Sequence, residues 1–216
     1  MTDSPAPGLE STTARTKWLV FLIVAALSLV ADQVTKIWAR SSLPVVRVNG
    51  GSAMCAVPDD IVIRACQGHP VPVVGGFWDW RLSMNPGSAF GLFSSQGGAR
   101  ILLSVVGIVA VIGMLWMLRK ARLDQKILHW ALALVAGGAV GNLVDRIYFG
   151  VVTDFILWRY KTHEWPVFNV ADVVLVVGVG LMFIDIQKEG RREKAQKAVR
   201  QNKAKAAGLV KDLGGR

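Results

Sequence analysis

The sequence predicts an all-α membrane protein of four transmembrane helices with a small β-sheet and loop region outside the bilayer. Three observations predict it. Hydrophobic residues make up 52% of the 216 and gather in four blocks, each long enough to cross a hydrocarbon core. Basic residues are unevenly placed, with ten Lys/Arg between Lys188 and Arg216. Between the first two blocks lie short β-branched runs broken by Gly and Pro, a strand-and-turn pattern.

Taken in order, residues 1–17 are rich in Pro, Ser, Thr and Gly, lack apolar periodicity and read as a disordered lead-in. The first span runs from Trp18 to Trp38, 21 residues, about 31 Å of helix with Trp at each end as interfacial anchors. A basic start followed by an apolar run is also the pattern of a secretory signal peptide. No small-x-small cleavage site follows, so the span is expected to stay uncleaved. Residues 41–98 form a β-rich insert with strand candidates at Val45–Val48, Ile61–Ile63 and Val71–Val74. An aromatic cluster at Phe77–Trp80, a turn at Asn85-Pro86-Gly87 and an apolar re-entry at Ala89–Phe93 complete it. The second and third spans are Ile101–Leu118 and Ile127–Val144, and the fourth starts near Val167 and ends near Ile186. Gly137 and Gly141 have the spacing that lets helices approach closely. The membrane domain is thus 18–187, followed by a basic tail, 188–216.

Lys/Arg number 2, 4 and 10 in the lead-in, the 119–126 loop and the tail, and are sparse in the two opposite loops. The positive-inside rule then places both termini in the cytoplasm and the 41–98 and 147–166 loops outside. A basic tail without aromatic residues is expected against an anionic leaflet, with no nucleic acid as partner. Cys55 and Cys66 share one loop and lack zinc-site spacing. They are either a disulfide, if that loop is extracytoplasmic, or two thiols.

The stretch from Gly137 to Asp172 concentrates polarity at the edges of apolar helices, with Asp145, Asp154, Asp172, Asn142, Arg146 and Asn169. An Asp at mid-bilayer costs roughly 2.5–3.5 kcal/mol, so such residues are functional candidates. Two carboxyl groups brought together in a dry site share a proton, letting one activate water while the other protonates a leaving group. Asp154 and Asp172 are the expected pair, joined by a short interfacial helix or loop. Plainer readings stand beside this. Asp154 is then a loop cap and Asp172 a helix-dipole partner. Asp145 and Arg146 make a buried ion pair beside Asn142, and Asp32 and Lys36 pair at a helix end or help hold the polar site. Asp185 reads as an interfacial charge. A proton- or cation-coupled transporter and a helix-packing scaffold remain alternative functions, although no inverted repeat or broken helix marks a transporter.

Five segments then occur in order: Asp32-Gln33-Val34-Thr35-Lys36, Asn85-Pro86-Gly87-Ser88-Ala89-Phe90-Gly91, Gly138-Ala139-Val140-Gly141-Asn142-Leu143-Val144-Asp145-Arg146, Val151-Val152-Thr153-Asp154-Phe155 and Phe168-Asn169-Val170-Ala171-Asp172. Together, on four matching spans, they closely resemble the bacterial lipoprotein signal peptidases, the type II signal peptidases. The resemblance implies an aspartic endopeptidase of the inner membrane, its β-sheet and active site at the periplasmic face. Such an enzyme cuts prolipoproteins just before a diacylglyceryl-modified cysteine. It further implies Asp154 and Asp172 as catalytic residues, with Asn85, Asn142, Asp145, Arg146, Asn169, Asp32 and Lys36 in support or substrate contact. It implies no metal or other cofactor, a monomer in contact with membrane lipid, and inhibition by globomycin-type peptides. The loop 48–75, the lead-in and the tail are longer than the pattern.

Overall fold

The computed structural model describes residues 7–44, 68–87 and 96–213. Cys55, Cys66, the strand candidates Val45–Val48 and Ile61–Ile63, and the Ala89–Phe93 re-entry lie outside the described residues. The elements are α1 (Pro7–Ser42), β1 (Val71–Val74), β2 (Trp78–Asn85), α2 (Gln96–Lys120), α3 (Lys126–Tyr148), β3 (Val152–Tyr160), β4 (His163–Glu164) and α4 (Val170–Leu213). Each helix contains a segment long and apolar enough to cross a membrane. Apolar side chains such as Leu22, Leu27, Val109, Ile112, Val176 and Phe183 stand exposed on α1, α2 and α4, as lipid-facing surfaces require.

Helix α3 is the axis and packs against the other three. Its glycines make this possible, with no side chain between backbones. A Cβ on Gly137 would stand 2.7 Å from the Ala25 carbonyl of α1, and one on Gly138 2.6 Å from the Ala171 carbonyl of α4. On α4, Gly178 returns the contact, 2.9 Å from the Ala131 carbonyl of α3. Gly138→Ala is expected to cost about 1–3 kcal/mol, because the obstructing atom is backbone. Gly113→Ala, whose Cβ would meet nothing within 4 Å, should leave stability unchanged or higher. Thermal unfolding of the two variants in detergent checks this.

The helices run a few residues past or short of several expected limits, and two limits differ by ten residues or more. α1 begins at Pro7, within the stretch expected to be disordered. Proline suits a first helical turn, where its missing N–H leaves no bond unmade. α4 continues as one 44-residue helix past Ile186 to Leu213. The tail is dense in Ala, Lys, Arg, Gln and Glu, all strong helix formers, so nothing stops propagation.

The connection between α3 and α4 is a further correction, since it is neither helix nor loop but the strands β3 and β4. Among the described residues four antiparallel strands run in the order β1-β2-β3-β4. β3 pairs with β2 in the register Asn85↔Val152, Ser83↔Asp154 and Trp80↔Ile156. Between Trp80 and Ser83, β2 carries an extra residue, a bulge that bends the strand beside Asp154. The aromatic cluster expected at a headgroup belt largely belongs to this sheet. Trp80 meets Trp38 of α1 at 5.3 Å between ring centroids, and Phe155 meets Trp38 at 6.0 Å. Those edge-on contacts seat the sheet on the end of α1.

Candidate active site

Local chain geometry builds the site from three directions. At the end of α3, Gly150 takes φ +76°, and its N–H bonds the Arg146 carbonyl at 3.1 Å. This left-handed turn, which glycine adopts without strain, folds β3 back along α3. The Thr153 N–H then reaches Asp145 Oδ2 at 2.8 Å. Next, Phe155 and Ile156 donate their N–H groups to the Phe168 carbonyl at 3.0 and 2.8 Å, and Phe168 donates back to Ile156 at 3.0 Å. That clasp sets Asn169 beside Asp154. Last, Asn169 caps α4. Its Oδ1 accepts from the Asp172 N–H at 3.0 Å, and Asp172 Oδ2 accepts from the Asn169 N–H at 3.2 Å, a reciprocal capping box.

Asn169 links the two aspartates. Besides capping with Asp172, its Nδ2 donates to Asp154 Oδ1 at 2.6 Å and to Asn142 Oδ1 at 3.1 Å. Asn142 Nδ2 in turn donates to Asp172 Oδ1 at 2.9 Å. Asn85 Nδ2 donates to Asp154 Oδ2 at 2.9 Å. The Asn85 Oδ1 accepts the Gly87 N–H at 2.8 Å, so the expected turn there also aims the side chain. Asp154 is 2% exposed, whereas Asp172 is half-buried and opens on an apolar groove of about 300 Å³ between Trp158, Trp165, Phe168, Val173 and Val176. Burial drives the Asp154 carboxyl up to about 7, and the Asp172 charge adds to the rise against the opposing bonds from Asn85 and Asn169.

Below this pair lies a fully buried ionic knot. Lys36 Nζ stands 2.9 Å from Asp32 Oδ2 and 3.5 Å from Asp145 Oδ2, and all three side chains are 0% exposed. The same ammonium donates to Asn142 Oδ1 at 2.9 Å. Asp32 Oδ1 accepts the Ala171 N–H of α4 at 2.9 Å. Asp32 and Lys36 therefore pair within the polar cluster and not as a solvated helix-end pair. The expected Asp145–Arg146 pair is corrected: Asp145 pairs with Lys36 and Arg40, the latter at 3.7 Å. Adjacent helical residues point to different faces, so Arg146 turns away and donates to the Asn142 carbonyl at 3.2 Å. Its charge lies within the fields of Asp172, Asp154 and Asp145. Asp185, expected as an interfacial charge, is 4% exposed and accepts from Gln125 Nε2 at 3.1 Å.

Three contributors were missed by sequence reasoning. Arg40 donates to Thr153 Oγ1 at 2.9 Å and lies over the Phe149 ring at 4.5 Å, tying α1 to β3. Gln33 Nε2 donates to the Gly141 carbonyl at 3.0 Å and to Asp32 at 3.1 Å. Arg40 follows Lys36 by four positions, which puts it on the same helical face. That spacing was the available signal. Thr153 gave none beyond its place next to Asp154. Among the described residues no group of three or more His, Cys, Asp or Glu side chains is arranged to hold a metal ion.

The chain as a whole is similar to known proteins. The family model described as signal peptidase (SPase) II matches residues 24–188. The lipoprotein signal peptidase of Xanthomonas campestris pv. campestris strain 8004 is 35% identical over 180 residues, 82% of this chain and 94% of that protein. That of Geobacter metallireducens is 36% identical over 174 residues, 81% of this chain and 94% of its own. A bacterial membrane enzyme solved by the in meso method at 2.3 Å resolution superposes with a TM-score of 0.60 at 24% identity, covering 79% of this chain and 88% of that one.

Proposed function

The chain belongs to the signal peptidase II family, the lipoprotein signal peptidases that remove signal peptides from prolipoproteins, and from that premise we propose that Asp154 and Asp172 are its catalytic pair. The observation that carries this reading is the position of Asn169, which holds Asp154 by its side chain and Asp172 by its backbone N–H. Near neutral pH Asp154 keeps the shared proton. Asp172, open to the groove, takes a proton from water as that water attacks the scissile carbonyl carbon. Asp154 gives its proton to the departing amide nitrogen, the C–N bond breaks, and the pair is left with one proton as before. Asn85, Asn142 and Asn169 orient the carboxyl groups. Lys36, Asp32 and Asp145 hold the asparagines and β3 in place, and the Arg146 charge steadies the pair.

The signal helix lies in the bilayer with the scissile bond at the mouth of the Asp172 groove, before a diacylglyceryl-modified cysteine whose chains rest in lipid. The enzyme works as a monomer of the bacterial inner membrane. Both termini are cytoplasmic and the site lies near the periplasmic face. The positive-inside count supports this, because Lys17, Arg119 and Lys126 cluster at the end of the bundle away from the aspartates. Cleavage of a lipidated preprotein by purified enzyme, with and without globomycin and a chelator, tests the reading. Globomycin should stop cleavage and the chelator should not.

A pH profile tests the proton assignment. Activity should fall as pH rises through about 7, where Asp154 loses its proton. Asn85 favours the ionised form by donating to it, so Asn85→Ala should raise the Asp154 pKa and move the alkaline limb to higher pH. A limb unmoved by that change would separate Asp154 from the proton transfer.

A further inference from the structure

At the end of the bundle opposite the aspartates, a cavity of about 430 Å³ opens between α1 and the start of α3, with Lys17, Val20, Leu123, Lys126, His129 and Trp130 among its walls. We propose that it binds the phosphate headgroup of an anionic phospholipid, with the glycerol and first acyl carbons against Val20 and Trp130. The walls divide by chemistry. Lys17 is fixed, its Nζ donating to the Leu118 and Ala121 carbonyls at 3.0 Å each, so one positive charge is held at the rim. Lys126 is exposed across the opening and free to swing onto a ligand. His129 closes the floor, with Nε2 3.0 Å from the Arg122 carbonyl. Trp130 and Leu123 stand 51% and 40% exposed on the apolar side.

The nearby acid does not compete for these cations. Asp124 is held by Arg122 at 3.1 Å and by Arg192 at 2.6 Å, leaving the cavity's lysines without a carboxylate partner of their own among its lining residues. A basic pocket between spans, half apolar and at the depth of a Trp, fits a lipid phosphate with its chains continuing along the exposed face of Leu19 and Ile23. A soluble anion would leave the apolar wall wet.

Native mass spectrometry of the full-length protein, offered equal phosphatidylglycerol and phosphatidylcholine in mild detergent, tests this. Wild type should retain phosphatidylglycerol about fivefold better or more, and Lys126→Gln should bring the ratio near parity. Lys126 is chosen because Lys17→Gln would also uncap α2. Trp130→Ala should lower retention of both lipids alike. Lys161→Gln, in the turn between β3 and β4 at the other end, should change nothing. Equal retention by wild type, an unchanged ratio in Lys126→Gln, an equal drop in Lys161→Gln, or displacement of the lipid by excess inorganic phosphate would each overturn the assignment.

Discussion

Asp154→Asn and Asp172→Asn should each lower kcat for a lipidated preprotein by about a thousandfold or more, in protein that inserts and purifies normally. Loss of fold is the obvious competing explanation, and Asp154 separates the two. Its folded pKa of about 7 lies above the ordinary 3.8, so the folded state binds this proton more tightly than the unfolded state does. The resulting stability is fully present below the unfolded value and is lost as pH rises through about 7. Above that, wild type carries a buried charge that Asn lacks. The amide also imitates the neutral acid, since either one must set a donor against Asn85 or Asn169. Asp154→Asn should therefore match wild type in acid and exceed it in alkali, by up to about 4 kcal/mol. Thermal unfolding in detergent across the neutral region measures this. Inactive protein more stable than wild type at alkaline pH points to chemistry. Inactive protein less stable at every pH points to structure, and activity retained by either variant removes the pair from catalysis.

What was legible in the sequence follows the range of the interactions involved. The four spans announce themselves because lipid must be met by apolar residues over some twenty consecutive positions. Asp172 was read as a helix-dipole partner, but not as half of the cap it makes with Asn169. The Asn85-Pro86-Gly87 turn and the close-packing spacing at Gly137 and Gly141 depend on residues near in sequence, and each was readable. β3 was not. Val152 to Phe155 are all buried, lodged against both β2 and the helix ends, so the alternation that marks a half-exposed strand is absent. Its partner β2 lies some seventy residues upstream in the chain and cannot be paired by local pattern. The partner of Asp145 was misread for the same reason. Arg146 is adjacent, but Lys36 and Arg40 arrive from another helix. Sequence proximity favoured the wrong cation, and helical geometry excluded it.

Lys36→Met should be the most damaging change away from the aspartates themselves. Among the described residues the ammonium is the only cation within 3 Å of Asp32, and it also holds Asn142. Without it, two carboxylates lose a partner in a site with 0% exposure, a loss expected to cost about 3–5 kcal/mol. Activity should fall with it, by about a hundredfold, because Asn142 orients Asp172 and a displacement of about an ångström at the reacting groups suffices for that. Lys36→Arg should not rescue, since a planar guanidinium does not fit a site closed around a compact ammonium. Adding Asp145→Asn to Lys36→Met divides the two effects. One buried charge is removed, so part of the stability should return. Asn142 keeps the Asn169 donor but still lacks the Lys36 ammonium, so activity should stay low. Thermal unfolding and cleavage rates measured on the same preparations decide it. If activity returned along with stability, the knot would be acting through folding alone, and Lys36 would lose its place as a positioning residue.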